Sequence, residues 1–554
     1  MVSMFNEFAL VFLIIFILSF IITYLKQPTL IAYILGGVLL GPIFFNVLSQ
    51  SGYYELFSHI GVAFLLFIVG LHLNPRLIKE VGAPAVITGV GQIIFTVTIA
   101  IIMIMLLGYN FTAALILSVA IAFSSTIVIV KILSDKNALD TLAGKISLGF
   151  LLVQDFVAVF ALIGIESFVQ YSTGVPLFQI LTTIILTIFI SIALIFGAKY
   201  VVDFFFSSGH NSELLLIYSV SWCLGIAALF NFLGFSLEIG SLIAGIALAS
   251  TNMHHEISAK IKPLRDFFLI MFFIVLGSQM FSSSFDTTTD DTSQILEKIG
   301  TEIVDLLPLI IPLTLLILIG NPIIVFLLLS TLRYTPKVSF NAGLAVSQIS
   351  EFSLIIGLLA LNKGLITNTE ISILTFVMLI TMMVSSYLYY HSDTYYTRLK
   401  PFLKRFNSYT KNPNATTQHS VQVLLHGLDS DQQNHLFYLH NSKYSYAVIE
   451  EEPRKIKQLQ SKQIPTIRGD LTNPELLQQF NITDFKAFVS FKNDDETAYT
   501  IVESIRKENP KAYIILQASD VEIANDLYEL GADYIIVPRQ IHQEKVFDIL
   551  KQLL

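Results

Sequence analysis

The segment ISLGFLLVQDFVAVFALIGI, residues 146–165, carries a single ionisable residue in an otherwise apolar run. The run is long enough to cross a lipid bilayer, since a membrane helix needs about 20 apolar residues. The ionisable residue is Asp155, which follows Gln154 near the middle of the run. A charge at the centre of a membrane helix costs about 2.5–3.5 kcal/mol on insertion scales. Asp155 is therefore a candidate functional residue.

The composition of the whole chain predicts a membrane protein with a soluble part. Of its 554 residues, 54 % are hydrophobic and 13 % are charged, whereas a soluble domain carries about 25 % charged residues. Residues 1–390 contain 34 charged residues and residues 391–554 contain 40, so we predict a membrane domain over 1–390. The net charge of −8 does not suggest nucleic-acid binding, and a lone Cys223 excludes an intrachain disulfide and a CxxC metal site.

Thirteen apolar runs predict about 13 membrane-spanning helices of roughly 20 residues each. They lie at residues 5–25, 28–48, 54–73, 83–107, 111–133, 143–169, 177–203, 212–232, 236–251, 263–282, 303–332, 338–361 and 367–390. The first run has no basic region before it and no small-residue cleavage site, so we interpret it as a membrane span and not as a signal peptide.

The distribution of Lys and Arg between the loops predicts the orientation of the spans. With the N-terminus outside, twelve basic residues fall in cytoplasmic loops, and only Lys298 and Lys363 fall in external loops. The twelve are Lys26, Arg76, Lys79, Lys131, Lys136, Lys145, Lys199, Lys260, Lys262, Arg265, Arg333 and Lys337. Because cytoplasmic loops carry an excess of basic residues, we expect the C-terminal part to lie in the cytoplasm.

The sequence pattern changes after residue 390. Residues 391–417 predict a polar linker rich in Ser, Thr, Tyr and Asn. Over residues 418–541, short β-type runs alternate with helical stretches, which predicts a parallel, doubly wound α/β sheet. The runs are VQVLL, YAVIEE, AFVSF, AYIILQA and DYIIVP, and the helical stretches include residues 474–480 and 497–508. Residues 542–554 predict a short amphipathic helix.

Asp155 has the chemistry of an ion-exchange site. A carboxylate in apolar surroundings exists protonated or paired with a cation, because a bare buried charge is costly. Proton and cation then compete for one group, which is the minimum chemistry of an antiporter. Gln154 either adds a neutral oxygen ligand or holds the carboxylate in place. The alternative is a structural aspartate satisfied by hydroxyl and amide groups, although no Lys or Arg occurs at the same depth.

Other polar residues lie in the middle or near the ends of apolar runs. Those in mid-span are Ser124, Ser125 and Thr126 in AFSSTIVIVKIL, and Gln348, Ser350 and Glu351 in SQISEFSLII. The hydroxyls either offer oxygen atoms to the ion site or hydrogen-bond to the preceding helical turn. Glu351 is either a ligand of the transported ion or an internal polar clamp. Neither segment has a central Gly or Pro, so the residues alone do not show a broken helix. We expect His72 to be interfacial, and Glu238 to reach the interface or to attract cations to an external mouth.

Seven motifs in order resemble the Kef-type monovalent cation:proton antiporters, of the cation:proton antiporter-2 family, over essentially the whole membrane part. They are LKQPTLIAYILGGVLLGP, GVAFLLFIVGLHLNP, AFSSTIVIVKIL, LLVQDFVAVF, LEIGSLIAGIALAS, KPLRDFFLIMFFIVLG and SQISEFSLIIGLLA. The resemblance implies inverted repeats, two crossing discontinuous helices, a dimerisation part and a mobile core with elevator-like alternating access.

The resemblance also assigns roles to residues of the site. It implies that Asp155 is the ion-and-proton carboxylate and that Gln154 is its partner. The matches to the family's crossing-helix motifs are Ser124, Ser125, Thr126, Gln348 and Glu351. A Gln-Asp pair in place of two acids suggests electroneutral exchange and K⁺ over Na⁺. Two departures, His72 after Gly70-Leu71 and the basic residues of HHEISAKIKPLRD, argue against glutathione-type gating.

The C-terminal part resembles the Rossmann-like RCK, or TrkA-N, domain of potassium transporters and channels. The stretch VLLHGLDSDQQNH retains only Gly427 of the glycine motif that approaches phosphates. The resemblance implies nucleotide contacts at Gly427, Glu450, Gly469, Asp470 and Asp494, with AMP, ATP, ADP or NAD(H) as the regulatory nucleotide. Glu450 would hold ribose hydroxyls. The alternative is a degenerate domain that dimerises and regulates without nucleotide.

The sequence therefore predicts a transporter and not an enzyme. We expect a homodimeric antiporter of the cell (inner) membrane that exchanges K⁺ for H⁺, requires no cofactor and binds no metal beyond the transported cation. A Na⁺/H⁺ antiporter of the same fold and a ligand-gated K⁺ channel are the alternatives, although the chain lacks a TVGYG-type filter. A third alternative is a sensor whose transport core is vestigial and whose cytosolic domain binds a partner. The intact Asp155 argues against this alternative.

Overall fold

The computed structural model of the chain describes most of its residues. The described residues are 2–41, 44–45, 53–72, 82–136, 138–139, 141–172, 177–206, 212–233, 235–280, 292–406, 421–428, 444–469, 471, 485–492 and 495–553. The chain forms two compact units, one of residues 1–328 and 340–397 and one of residues 329–339 and 398–554. We call them the membrane unit and the C-terminal unit.

The membrane unit is helical throughout its described length. Its helices are α1 Val2–Tyr24, α2 Leu30–Leu40, α3 Tyr53–His72, α4 Ala83–Leu106, α5 Phe111–Ile121, α6 Thr126–Asp135, α7 Leu142–Ser172, α8 Leu177–Phe206, α9 Ser212–Phe232, α10 Leu237–Ala249, α11 His254–Gln279, α12 Thr292–Leu315, α13 Asn321–Thr331, α14 Pro336–Leu344, α15 Glu351–Asn362 and α16 Asn368–Tyr390. Each predicted apolar run contains at least one of them. Eight helical segments among the described residues are long and apolar enough to cross a bilayer.

Two of the predicted spans are broken helices, as the family resemblance implies. The run 111–133 divides into α5 and α6, and the run 338–361 divides into α14 and α15. In each break a serine in extended conformation caps the second half. The Ser125 side chain accepts from the Val128 N–H, and the Ser350 side chain accepts from the Phe352 N–H. Serine at this position satisfies an N–H that has no partner within the helix, which allows the helix to restart in an apolar environment.

Close backbone contacts hold α3 against α10 and α2 against α11. A Cβ on Gly245 would lie 2.1 Å from the Phe67 carbonyl oxygen, and a Cβ on Gly277 would lie 2.1 Å from the Ile34 carbonyl oxygen. Small residues let membrane helices pack backbone to backbone, which replaces the hydrophobic driving force that lipid removes. We call α2, α3, α10 and α11 the scaffold helices.

Two predicted segments differ in detail from the structure. The run 303–332 is interrupted by a π-helical turn, Leu316–Gly320, that separates α12 from α13. The first part of the predicted linker 391–417 is not extended chain but a helix, α17, Ser392–Phe406. Its apolar and aromatic residues recur at helical spacing, a pattern that the abundance of Ser, Thr and Tyr obscures.

The C-terminal unit contains a six-stranded parallel sheet with the order β3-β2-β1-β4-β5-β6. The elements are β1 Val423–His426, β2 Tyr446–Glu450, α18 Pro453–Ser461, β3 Thr466–Arg468, β4 Ala487–Ser490, α19 Asp495–Glu508, β5 Tyr513–Gln517, α20 Val521–Glu529, β6 Tyr534–Ile536 and α21 Pro538–Leu553. The five predicted runs are strands, while the three-residue β3 carried no signal. The predicted helix 474–480 lies outside the described residues, and the C-terminal helix begins at Pro538, before the predicted 542.

Candidate ion-exchange site

The two broken helices cross at their breaks and are hydrogen-bonded to each other. The Ser350 N–H donates to the Phe123 carbonyl oxygen over 2.9 Å, and the Ser353 hydroxyl donates to the Ala120 carbonyl oxygen over 2.5 Å. The Ser124 hydroxyl donates to the Val346 carbonyl oxygen over 3.4 Å. Each break therefore satisfies backbone groups that the other leaves open, which explains how irregular backbone is tolerated among apolar helices.

Asp155 lies on α7 beside this crossing. Its Oδ2 accepts a hydrogen bond of 3.0 Å from the hydroxyl of Thr126, the first residue of α6. Asp155 and Thr126 are both partly exposed. The N-terminal end of a helix carries a partial positive charge, so α6 stabilises a negative charge at Asp155. Among the described residues, Asp155 forms no ion pair with Lys or Arg.

The second acid, Glu351, is sealed within the crossing. It is 3 % exposed and is the first residue of α15. Its Oε2 accepts from the Ser125 hydroxyl at 3.0 Å and from the Ser350 hydroxyl at 3.5 Å, one from each broken helix. This geometry favours the clamp among the two roles expected for Glu351.

Gln154 holds the first break and does not contact Asp155. Its Oε1 accepts from the Ser124 N–H at 3.1 Å, and its Nε2 donates to Oε1 of Gln92 on α4. Both glutamines are 0 % exposed. Helices α4 and α7 approach closely here, because a Cβ on Gly89 would lie 3.0 Å from the Phe150 carbonyl oxygen. The expected roles for Gln154 were to ligate an ion or to hold the Asp155 carboxylate in place; its hydrogen bonds instead hold the first break.

Three polar residues that the sequence interpretation missed extend this network. The Gln92 Nε2 donates to the Thr96 hydroxyl at 2.9 Å, and the Thr96 hydroxyl donates to Oδ1 of Asn321 at 2.6 Å. The Asn321 Nδ2 donates to the Val346 carbonyl oxygen at 3.4 Å. A buried amide in an apolar run was the available signal, since Gln92 and Asn321 both interrupt predicted spans.

Gln348 completes the second break. Its Oε1 accepts from the Ser385 hydroxyl on α16 at 2.9 Å, and its Nε2 lies 3.5 Å from the Ser125 carbonyl oxygen. The seven residues predicted for the site therefore lie together but divide into two groups. Asp155 and Thr126 are partly exposed, whereas the other five are at most 3 % exposed. The five are Gln154, Ser124, Ser125, Gln348 and Glu351.

Ion pairs fasten the site helices to one another at both ends. Glu166 on α7 is 2 % exposed and pairs over 2.7 Å with Lys363, which caps α15. At the far end of α6, Lys136 donates to the Tyr389 carbonyl oxygen of α16 over 3.4 Å and pairs with Asp393 of α17 over 3.3 Å. We call α5, α6, α7, α14, α15 and α16 the core helices.

A cavity of about 300 Å³ lies between core and scaffold helices. Its wall includes Glu238 at the start of α10, His59 of α3 and Asn362 at the end of α15. Under the predicted orientation this cavity opens outside the cell. Its position fits the expectation that Glu238 attracts cations to an external mouth. At the other side of the unit, His72 is exposed at the end of α3, as expected for an interfacial residue.

Comparison with known proteins identifies the family. The family described as sodium/hydrogen exchanger, transmembrane, matches residues 9–388, which is more than half of the chain. The chain belongs to the transmembrane sodium/hydrogen exchanger family. A TrkA-N domain matches residues 434–538, so this exchanger is of the Kef type with a C-terminal TrkA-N domain.

Related proteins align with the membrane part of this exchanger, and one aligns with nearly the whole chain. It is 27 % identical to the iron transporter MagA of Paramagnetospirillum magneticum, over 66 % of this chain and 80 % of that protein. It is 25 % identical to K⁺ efflux antiporter 5 of Arabidopsis thaliana, over 72 % of this chain and 68 % of that protein. It is 22 % identical to YbaL of Escherichia coli, over 97 % of this chain and 95 % of that protein.

Three of the residues predicted to contact a nucleotide lie at the carboxyl ends of β1, β2 and β3 of the TrkA-N domain. Glu450 ends β2 and is 3 % exposed; its Oε1 accepts the N–H groups of residues 451 and 452 at 2.9 and 3.0 Å. Its Oε2 is buried and has no partner among the described residues, which fits an acceptor for a ribose hydroxyl. Gly427 follows β1 with φ of 73°, and Gly469 is buried. Asp470 and Asp494 lie outside the described residues.

A buried histidine lies at the switch point of this sheet, where strand order reverses between β1 and β4. His426 ends β1 and is 1 % exposed, with Nδ1 lying 3.0 Å from the Ser490 hydroxyl of β4. Burial, and secondarily the charge of Lys492, hold the pKa of His426 well below its usual value. The imidazole is therefore neutral in the folded domain at physiological pH.

Proposed function

We propose that this exchanger is a secondary active antiporter that moves one K⁺ against one H⁺ through Asp155. The observation that carries the proposal is the division of the site: one carboxylate with partial exposure, and a second sealed by hydroxyl donors. An exchange group must meet water, cation and proton in turn, and Asp155 has that exposure. Glu351 does not.

Asp155 alternates between two neutral states in this mechanism. In one, a proton occupies the carboxylate; in the other, a cation lies against it. The Thr126 hydroxyl, 3.0 Å from Oδ2, offers an oxygen to the cation and donates to the carboxylate when the cation is absent. Because the bare carboxylate is costly in a membrane, the loaded forms are the ones that cross. Exchange is then one for one and carries no net charge.

Movement of the core helices against the scaffold helices gives alternating access in this proposal. The Glu166–Lys363 and Lys136–Asp393 pairs favour motion of the core helices as one body. The backbone contact at Gly245 favours a stiff scaffold. In this proposal the exchanger is a homodimer, with the N-terminus outside and the TrkA-N domain in the cytoplasm.

K⁺ is the proposed cation because the site pairs one open carboxylate with neutral oxygen, and because a relative is named a K⁺ efflux antiporter. The proposed regulator is a nucleotide at the TrkA-N domain. Glu450 would hold its ribose, and Gly427 would allow close approach of a phosphate. Bound nucleotide supplies no chemistry to the exchange; it shifts the conformation of the domain that gates the core.

Transport in proteoliposomes tests the proposal. Purified protein is reconstituted, internal pH is followed, and K⁺, Na⁺, Rb⁺ or Fe²⁺ is added outside. We expect K⁺ and Rb⁺ to drive proton movement in the opposite direction, with a rate that an imposed membrane potential does not change. Cation flux without proton movement would refute antiport, and a response to Na⁺ or Fe²⁺ alone would refute the assigned cation.

The nucleotide assignment has its own test. Thermal unfolding of the full chain is followed with AMP, ATP or NADH, in the wild type and in Glu450→Gln. One of these nucleotides should raise the Tm of the wild type and should lose that effect in Glu450→Gln. If none raises the Tm of the wild type, the domain regulates without nucleotide.

A further inference from the structure

A buried hydrogen-bonded chain of four side chains joins the two helix breaks. It runs through Gln154, Gln92, Thr96 and Asn321, all 0 % exposed. One end accepts the Ser124 N–H of the first break. The other end donates to the Val346 carbonyl oxygen of the second break. Three of these residues belong to α4 and α13, which are outside the crossing pair.

The chain has a single direction. Each member donates to the next, from Gln154 Nε2 to Gln92 Oε1, from Gln92 Nε2 to Thr96, and from Thr96 to Asn321 Oδ1. Turning one amide over would place donor against donor or acceptor against acceptor, and unpaired polar groups are costly in an apolar interior. The direction of the chain therefore fixes the orientation of every member.

The local backbone delivers Asn321 to this chain. A π-helical turn, Leu316–Gly320, ends directly before Asn321. A π turn shifts the helical register by one residue, so the residues after it face a different direction from those of an uninterrupted helix. Without that shift, the Asn321 side chain would be rotated away from Thr96 and Val346.

We infer that Gln92, Thr96 and Asn321 are positioning residues that set the cation affinity of the exchanger by fixing the spacing between the two helix breaks. This inference rests on the proposed antiport through Asp155. The chain does not contact Asp155, but it holds Ser124, two residues before Thr126. Loss of one link leaves Asp155 and its proton chemistry in place while it loosens the oxygen atoms around the cation.

Thr96→Val is the discriminating variant because valine keeps the shape of threonine and removes only the hydroxyl. We expect it to raise the KM for K⁺ at least tenfold, with the rate at saturating K⁺ within about threefold of the wild type. Thr96→Ser keeps the hydroxyl and should recover most of the affinity. Stabilisation of the protein by K⁺ in thermal unfolding gives a second measure of affinity that does not depend on transport.

Thr88→Val is the matched control. Thr88 lies on the same helix, is also 0 % exposed, and its hydroxyl has no partner among the described residues. It should leave the KM for K⁺ unchanged. Equal KM values for Thr88→Val and Thr96→Val, with equal stabilisation by K⁺, would overturn the inference. If Thr96→Val does not fold, Asn321→Ser takes its place, because the shorter serine side chain cannot reach both Thr96 and Val346. Its KM for K⁺ and its stabilisation by K⁺ are then compared with those of Thr88→Val in the same way. A wild-type protein without K⁺/H⁺ exchange would instead refute the proposed function.

Discussion

Replacing Asp155 by asparagine removes the exchange chemistry while it preserves the shape of the site. The Thr126 hydroxyl can still donate to the amide oxygen across the same 3.0 Å, so the crossing of the helices should persist. What is lost is the negative charge. Two unit charges 4 Å apart attract by about 4 kcal/mol at an effective dielectric constant near 20. Since about 1.4 kcal/mol corresponds to a factor of ten, cation affinity should fall roughly a thousandfold.

The assay compares coupled flux with cation binding. In proteoliposomes, Asp155→Asn should show no K⁺-driven proton movement at any pH, because an amide cannot take up or release the proton. In detergent, K⁺ should no longer raise its Tm. The Tm without cation should stay at the wild-type value or rise, because an uncompensated charge has been removed from apolar surroundings.

Glu351→Gln is the matched comparison, the same acid-to-amide replacement at the sealed acid. Because the Ser125 and Ser350 hydroxyls can donate to the amide oxygen, we expect exchange to continue one for one. The Tm should fall, since the amide brings N–H donors into a sealed position where both neighbouring hydroxyls already donate. Coupled flux in Asp155→Asn, or its complete loss in Glu351→Gln with retained folding, would refute the division of roles between the two acids.

Three further predictions concern stability. Lys363→Met leaves the carboxylate of Glu166 buried and unpaired, so it should destabilise the protein by about 3–5 kcal/mol. The double variant Lys363→Met with Glu166→Gln should recover most of the lost Tm. If it does not, the stability effect does not come from the ion pair. Gly245→Ala should cost at least about 1–3 kcal/mol through overpacking, whereas Gly225→Ala, with open space around its Cβ, should leave the Tm unchanged. Because His426 has a lowered pKa, the unfolded chain binds a proton near pH 6.5 that the folded domain does not, so stability of the TrkA-N domain should fall as the pH drops below about 6.5. Hydrogen exchange of the β1 amides, compared at each pH with His426→Gln, should show this loss in the wild type alone.

The sequence was sufficient for the membrane class and the helical runs because both follow from apolar length. It did not reveal the helix breaks, since the expected markers were Gly and Pro. The breaks depend on serine instead. Ser125 and Ser350 each precede a new helical run, which is the position where a side-chain oxygen caps a helix. A search for capping serines within apolar runs would have located both breaks without any family resemblance.

The roles of site residues were harder to predict than their identity. All seven predicted residues meet at the crossing, yet burial separates the exchange group from the supporting ones, and burial depends on packing between helices far apart in the chain. Gln92 and Asn321 were missed for the same reason. Each is a single amide in an apolar run, and only the fold places them in one hydrogen-bonded chain, 225 positions separating Thr96 from Asn321.

The direction of hydrogen bonding around the site supports the proposal that one acid carries both ions. The Ser125 and Ser350 hydroxyls donate to the second acid, and the amide chain donates from Gln154 away from Asp155 toward Val346. Only Thr126, which can donate or accept, contacts the Asp155 carboxylate among the described residues. A carboxylate with one adaptable partner can exchange a proton for a cation without rearranging its surroundings. In the proposed antiport, the fixed network confines the exchange to Asp155, so the stoichiometry depends on the donors that hold Glu351 as much as on the carboxylate that moves the ions.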